Sequence, residues 1–304
     1  MNAANTDYQG IWPVMVTPYT DLLTIDIPAY RHILEWHLEF ETGGIYANCL
    51  SSEMYQLNEE ERLLLISEAA KVVNGKVPVA ATGNFGDTLD EQLDFCLKAR
   101  DAGADIVMLT VPATVQDDVE LERYLFHFAE NSDIPLGIYE CPFPRHYHLG
   151  LELIQKLADS GRFVAYKETS CELDKILSIL EITENSKLDL LQANVPFMLE
   201  ATQAGVPGSM NVVANWLPDL TIEVWKGGRV NDPSVEQLNA SLCAMELAQR
   251  SVHPSGVKYL MSKRGLPIKP YTRLSKKLTK EEARGLDIVS GMWFQEDGSL
   301  TILK

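Results

Sequence analysis

Short apolar, β-branched runs alternate along the chain with longer stretches of helical spacing. IWPVMVT (11–17) reads as a strand, and PAYRHILEWHLEFE (28–41) as an amphipathic helix with Ile33, Leu34, Trp36, Leu38 and Phe40 supplying apolar bulk. GIYANCL (44–50) is the next strand, and NEEERLLLISEAAKVV (58–73) the next helix, with Asn58 as N-cap and acids in the first turn, where they suit the helix dipole. VPVAAT and DTLDEQLDFCLKARDAG repeat the unit, with Gly103 ending the helix. Strands at 104–110, 134–140, 163–168, 187–193 and 206–212 follow, with helices near 118–131, 149–159, 171–182 and 195–204 and one starting after Pro218.

Eight such units predict a parallel sheet covered by helices and closed into a (β/α)8 TIM barrel. An open doubly wound sheet is the alternative, but it advertises a glycine-rich phosphate loop after the first strand, and VTPYTD stands there instead. After KGGRVNDPS (226–234) the alternation stops, and the rest is helical with lysine-rich punctuation. The expected division is a barrel of residues 1–230 carrying the active site and a small C-terminal helical domain of residues 231–304.

Composition narrows the chemistry. The 304 residues are 46% hydrophobic and 23% charged, as in a globular enzyme, and the net charge of −17 disfavours nucleic acid and anionic membrane surfaces as partners. The N-terminal MNAANTDYQG lacks the basic-then-apolar pattern of a secretory signal, and no apolar run nears the roughly 20 residues that span a bilayer. A cytoplasmic protein is expected. The five cysteines, Cys49, Cys96, Cys141, Cys171 and Cys243, contain no CxxC pair and fit reduced thiols. His146 and His148 in RHYHLG would chelate only from a strand and have no acidic partner nearby in sequence, so neither a metal nor a cofactor is expected.

In such barrels the reactive groups sit at the C-terminal ends of strands. These ends carry Thr17; Leu50 to Glu53; Thr82 to Asn84; Thr110 to Thr114; Tyr139 and Glu140; Lys167 to Thr169; Gln192 to Asn194; and Met210 and Asn211. Only one lysine appears among them. Burial penalises the charged form of an amine, and a neutral amine attacks a ketone or aldehyde to give an imine that stabilises a carbanion on the adjacent carbon. The competing reading makes Lys167 a surface residue or the ion-pair partner of Glu168.

GIWPVMVTPY, SSEMYQLNEEER, IYECPFP, VAYKETS and GVPGSMNVVAN, in this order and spacing, resemble segments of the dihydrodipicolinate synthase and N-acetylneuraminate lyase family of Schiff-base-forming pyruvate lyases, over essentially the whole length. The resemblance implies that Lys167 forms the imine, that Tyr139 shuttles protons, and that Ser51 and Ser52 bind the substrate carboxylate. Met210 and Asn211, on the glycine-rich eighth strand, are further substrate-binding candidates. Glu53 is read as bracing its loop. No cofactor is implied, the partner is a small 2-oxo acid, and the assembly is a homotetramer built as a dimer of dimers.

Departures from the family pattern bear on the substrate. Cys49 and Leu50 stand where the family has Gly and a hydroxyl residue, and Ser52 replaces a second glycine. In the synthases that hydroxyl belongs to a relay with two tyrosines, one lent by a neighbouring subunit from the loop after the fourth strand; here that loop reads VPATVQDD. The synthases' arginine falls on Pro144, with Arg145 next to it as a substitute, and Glu140 replaces an asparagine. The expectation is an aldolase or dehydratase acting on a 2-oxo acid such as pyruvate or a 2-keto-3-deoxy sugar acid. Alternatives are 4-hydroxy-tetrahydrodipicolinate synthase activity, a non-catalytic carboxylate-binding barrel, and a metal-dependent barrel lyase or hydrolase, which the absence of histidine at strand ends disfavours.

Overall fold

The computed structural model describes residues 8–303. The polar stretch read above as lacking a secretory signal therefore lies, up to residue 7, outside the described residues. Eight parallel strands, β1 Gly10–Ile11, β2 Ile45–Asn48, β3 Val79–Thr82, β4 Ile106–Thr110, β5 Leu136–Tyr139, β6 Phe163–Glu168, β7 Asp189–Gln192 and β8 Gly208–Ser209, pair in the order β1-β8-β7-β6-β5-β4-β3-β2. Beyond β1, Val14 pairs in parallel with Tyr46 of β2, with Met15 N–H donating to Tyr46 O and Tyr46 N–H to Pro13 O, so the barrel closes. The expected first strand is cut short because Pro13 has no N–H to give to the ladder.

Each strand is followed by a helix: α1 Ile27–Leu38, α2 Glu59–Val73, α3 Leu89–Asp101, α4 Asp118–Asn131, α5 Leu151–Ser160, α6 Leu173–Thr183, α7 Val195–Ala204 and α8 Pro218–Arg229. Local chemistry sets where they start. Asn58 and Glu61 form a reciprocal capping box at α2, Thr88 and Glu91 another at α3, and Asp117 caps α4.

The period of two along each strand sorts side chains between two compartments. Val107, Leu109, Leu136, Ile138, Tyr166 and Leu190 pack outward beneath the helices. Trp12, Val14, Tyr46, Ala80, Ile106, Met108, Tyr139, Ala165, Leu191 and Met210 fill the barrel interior as a separate cluster. Gly137 belongs to that inner row, and a Cβ there would stand 2.2 Å from Met108 Sδ. A larger residue at 137 would require the Met108 side chain to move.

Three further helices follow, α9 Val235–Arg250, α10 Ser255–Lys263 and α11 Lys280–Trp293. The boundary expected at residue 230 falls in the link between α8 and α9. Leu242, Met245, Val257, Leu260, Met261 and Leu286 of these helices join Ile33, Leu34, Met198, Leu220 and Val224 of the barrel helices in one buried cluster, so the segment shares the barrel's core. No helix among the described residues is long and apolar enough to cross a membrane.

The C-terminal segment also reaches the mouth of the barrel. Fully buried Lys258 donates to Glu53 Oε1 at 2.6 Å and to Tyr271 O at 2.7 Å, while the Thr272 hydroxyl and the Arg273 N–H both donate to Glu53 Oε2 at 2.7 Å. Glu53 holds a left-handed backbone, φ +60°, between two short 3-10 turns, Leu50–Ser52 and Met54–Gln56. A non-glycine residue there stores strain that the three hydrogen bonds to its carboxylate offset. Burial outweighs the attraction of Glu53 and lowers the Lys258 pKa to about 8.

Removing one member of a buried pair strands the other charge and costs about 3–5 kcal/mol. Glu53→Ala and Lys258→Ala should each lower the unfolding free energy by about that much in urea titrations. A loss under about 1 kcal/mol, the range of exposed pairs, would show that this contact does not clasp the loop to the C-terminal segment.

Candidate active site

Tyr139 ends β5 and Lys167 lies on β6, and the two are direct partners in the parallel register. Strand alternation turns both into the barrel and turns their neighbours Glu140, Tyr166 and Glu168 outward. Lys167 is 4% exposed, and its Nζ lies 4.2 Å from the Tyr139 ring centroid and 5.2 Å from that of Tyr46. It makes no ion pair and no hydrogen bond among the described residues. Burial lowers its pKa from the ordinary 10.5, while the nearby thiols of Cys49 and Cys141 pull weakly the other way.

Glu168 does not neutralise it. That carboxylate accepts from the Ser170 N–H on the outer side, and burial raises its pKa. The reading of Lys167 as a surface residue or as a partner of Glu168 is thus excluded by strand parity. Tyr139 packs edge-on against Tyr46, centroids 5.9 Å apart, and the Tyr46 hydroxyl shares a 2.9 Å hydrogen bond with Thr82. Burial, then the neighbouring thiols and Tyr46, raise the Tyr139 pKa well above 10, which favours the protonated phenol.

The remaining sequence-predicted residues divide. Ser51 sits buried in the turn after β2, and its hydroxyl makes no hydrogen bond among the described residues. The Ser52 hydroxyl is spent: it donates toward Met15 O at 2.7 Å, with Ala47 O at 3.2 Å, and accepts from Cys49 N–H at 3.1 Å. Its own N–H goes to Cys49 O. Ser52 therefore ties the turn to the strands and has no proton left for a bound carboxylate. Met210 lies in the inner cluster with Tyr139 and Tyr46. Asn211, one residue on, points outward, donates to Ser209 Oγ at 3.0 Å and accepts from Ala214 N–H at 2.9 Å. Parity separates the two, and Asn211 is removed from the inner surface. Arg145 donates to Val115 O and lies over the Tyr147 ring at 5.0 Å, with a buried Nε that has no partner among the described residues.

Glu140 also requires a correction, because it does not face the substrate. Its fully buried carboxylate accepts from the Tyr166 hydroxyl, from Leu149 N–H and Thr169 N–H at 3.0 Å each, and meets His148 Nδ1 at 3.2 Å. Lys175 Nζ stands 3.9 Å away. His148 thus has the acidic neighbour that sequence proximity did not reveal. The His146 ring lies 4.2 Å from it at a 57° tilt and bonds Thr169, and burial lowers the His146 pKa. No group of three or more His, Cys, Asp or Glu side chains among the described residues could hold a metal ion.

Sequence reasoning assigned no role to Tyr46, Cys141 or His253 and named Thr82 only as a strand end. Tyr46 and Thr82 were recoverable by extending the inward row of β5 and β6 around the barrel, and Cys141 by counting two on from Tyr139. His253 was not, because it comes from the link between α9 and α10. Burial, reinforced by Lys258 and Lys167, lowers its pKa to about 4, and its Nδ1 is buried without a partner among the described residues.

Comparison with known proteins gives a consistent picture. The 4-hydroxy-tetrahydrodipicolinate synthase of Gluconacetobacter diazotrophicus is 25% identical over 296 residues, covering 94% of this chain and 99% of that protein. Among solved structures, the dihydrodipicolinate synthase DapA-2 of Bacillus anthracis superposes with a TM-score of 0.89 at 21% identity, covering 95% of this chain and 100% of that one. YagE, a prophage protein of E. coli K12 assigned to the dihydrodipicolinic acid synthase family and solved with pyruvate, gives 0.86 at 20% identity, covering 93% and 98%. Both likenesses are of the fold alone, a (β/α)8 barrel. The model of the dihydrodipicolinate synthetase family matches residues 7–286, nearly the whole chain around the inward-facing Lys167, and this chain belongs to that family of lyases.

Proposed function

We propose that this protein is a Schiff-base-forming lyase, an aldolase or dehydratase, acting on pyruvate or another 2-oxo acid. The observation that carries the reading is the buried, unpaired Lys167 amine over the face of Tyr139. With its pKa lowered, a larger fraction of the amine is neutral near pH 7, and the neutral form attacks the 2-oxo carbon to give a carbinolamine. Tyr139, a protonated phenol beside the nitrogen, donates a proton to the departing hydroxyl, so that water leaves and the iminium forms. Loss of a proton or a carbon substituent from C3 then gives the enamine. The Ser51 hydroxyl, at the turn after β2, is the group we assign to the substrate carboxylate; Met210 supplies apolar wall.

Among lyases of this kind we favour a substrate other than the semialdehyde that the synthases condense with pyruvate. Leu50 carries no hydroxyl, the loop after β4 carries no tyrosine, and Arg145 is engaged by Val115 O and Tyr147. A 2-keto-3-deoxy sugar acid is the class we put first. Free thiols at all five cysteines support a reducing, cytoplasmic setting, and the family resemblance supports a homotetramer.

Three outcomes follow. Incubation with pyruvate and borohydride should add a pyruvate-derived mass to the peptide containing Lys167, and Lys167→Ala should abolish it; an adduct elsewhere, or none with any 2-oxo acid, rejects the imine. The rate of trapping should rise with pH as the amine loses its proton, and because burial lowers the folded pKa, the half-maximal pH should lie below 10.5; a midpoint at or above that value removes the effect of burial. Tyr139→Phe should cut turnover by about 10²- to 10⁴-fold while leaving the thermal unfolding midpoint close to that of the unmodified protein. Release of pyruvate or of a dehydrated product from a panel of 2-keto-3-deoxy acids, set against condensation with the semialdehyde, separates the substrates.

A further inference from the structure

The turn after β2 and the loop after β5 meet across the mouth of the barrel. Strands β3 and β4 lie between β2 and β5 in the sheet, so the contact bridges three strand spacings of roughly 4.8 Å each. It is made by Tyr55, in the Met54–Gln56 turn, and by Phe143, a few residues beyond Tyr139. The Tyr55 hydroxyl donates to Phe143 O at 3.2 Å, and the two rings pack edge-on with centroids 5.2 Å apart. Tyr55 also meets the Phe85 ring, from the loop after β3, at 6.0 Å. Tyr55, Phe85 and Leu50 all pack on the inner cluster that contains Tyr139, so one apolar surface continues from the Tyr139 layer to the rim.

Only the outer end of that surface lies open. Phe85 is covered by the Arg62 guanidinium at 3.9 Å and by the Phe95 ring at 5.2 Å. Phe143 is 53% exposed, yet Pro142 and Pro144 restrict its backbone from both sides and Tyr55 holds its carbonyl. A phenylalanine fixed in this way at the rim is apolar surface that a ligand can take out of water.

We propose that Phe143, backed by Tyr55, is the specificity wall of this site, against which the substrate's carbons beyond C3 lie, so that the site selects 2-oxo acids whose chains present C–H surface there. It rests on the imine reading above. With C2 bonded to Lys167 and the C1 carboxylate at Ser51, the chain beyond C3 leaves through the mouth that these two loops bridge. In a 2-keto-3-deoxy sugar acid the wall meets the C–H face of C4 to C6, whereas pyruvate ends at C3 and falls short of it. Phe143 makes the contact; Tyr55 is a positioning residue that fixes its carbonyl and backs its ring.

The probes are pyruvate, 2-oxobutanoate and 2-oxohexanoate, which carry no C4 hydroxyl and so form the imine without cleavage or dehydration. The readout is the concentration of each that half-saturates borohydride trapping at Lys167. In the unmodified protein 2-oxohexanoate should need at least about threefold less than 2-oxobutanoate, as its two further methylenes leave water. Phe143→Ala and Tyr55→Ala should each raise the 2-oxohexanoate value more than about threefold and leave that of pyruvate within about twofold, and Phe143→Tyr should restore the preference for the longer chain. A chain-length preference below about threefold in the unmodified protein, or one that Phe143→Ala leaves in place, overturns the wall while the imine stands. An equal rise for pyruvate and 2-oxohexanoate gives these residues a merely structural role and also overturns it. Absence of trapping with all three acids in the unmodified protein fails the imine reading itself, and the wall with it.

Discussion

The site depends on keeping every carboxylate off one amine. A unit negative charge about 4 Å from a lysine favours its charged form by about 4 kcal/mol at an effective dielectric of about 20, which is the scale that decides protonation in a barrel interior. Lys167 stands between Tyr139 and Tyr46 with only weakly acidic thiols near it, although acidic residues far outnumber basic ones in the chain as a whole. Aromatic faces stabilise an ammonium without fixing it in that state. The proton is therefore held less firmly than on a solvated lysine, and the chemistry proposed above depends on that.

The same two strands carry two polar centres handled in opposite ways. On the outer face, Glu140 is saturated by Tyr166, Leu149, Thr169 and His148, as a buried carboxylate must be to stay inexpensive. These contacts cross between β5, β6 and the loops beyond them, so they fix the register that sets Tyr139 beside Lys167. On the inner face the Lys167 amine has no hydrogen-bond or ion-pair partner among the described residues. Saturation outside supports a deficit inside, and exchanging the faces by a one-residue slip would give Lys167 a carboxylate partner and favour its charged form.

Much of this was legible in the sequence, for physical reasons. Continuous apolar strands alternating with capped helices leave few architectures available, and FVAYKE spans the observed β6 from Phe163 to Glu168 because no proline or glycine interrupts it. Tyr139 and Lys167 were legible as strand ends. What escaped were orientations and long-range contacts. Glu140, Ser52 and Asn211 lie beside inward-facing residues in sequence and face away from them in space, and a strand end says nothing of parity until one inward residue is fixed. His253 and Lys258 arrive from more than 80 residues beyond β6, and nothing local announces them.

That distant contribution changes the meaning of the C-terminal segment. Lys258, Thr272 and Arg273 converge on Glu53, which lies two residues beyond Ser51 and holds the turn after β2 in a left-handed bend. The Arg273 guanidinium also binds Glu61 at the start of α2 and Leu23 O in the loop after β1. Two loops of the mouth are thus held from outside the barrel. The strands set Lys167 and Tyr139 rigidly, whereas a short, strained turn cannot set Ser51 alone, so its position is imposed by a buried ion pair that reaches across the whole chain. The helices beyond the barrel are in this sense part of the candidate site: the barrel supplies the buried Lys167 nitrogen, and the C-terminal segment shapes the turn after β2.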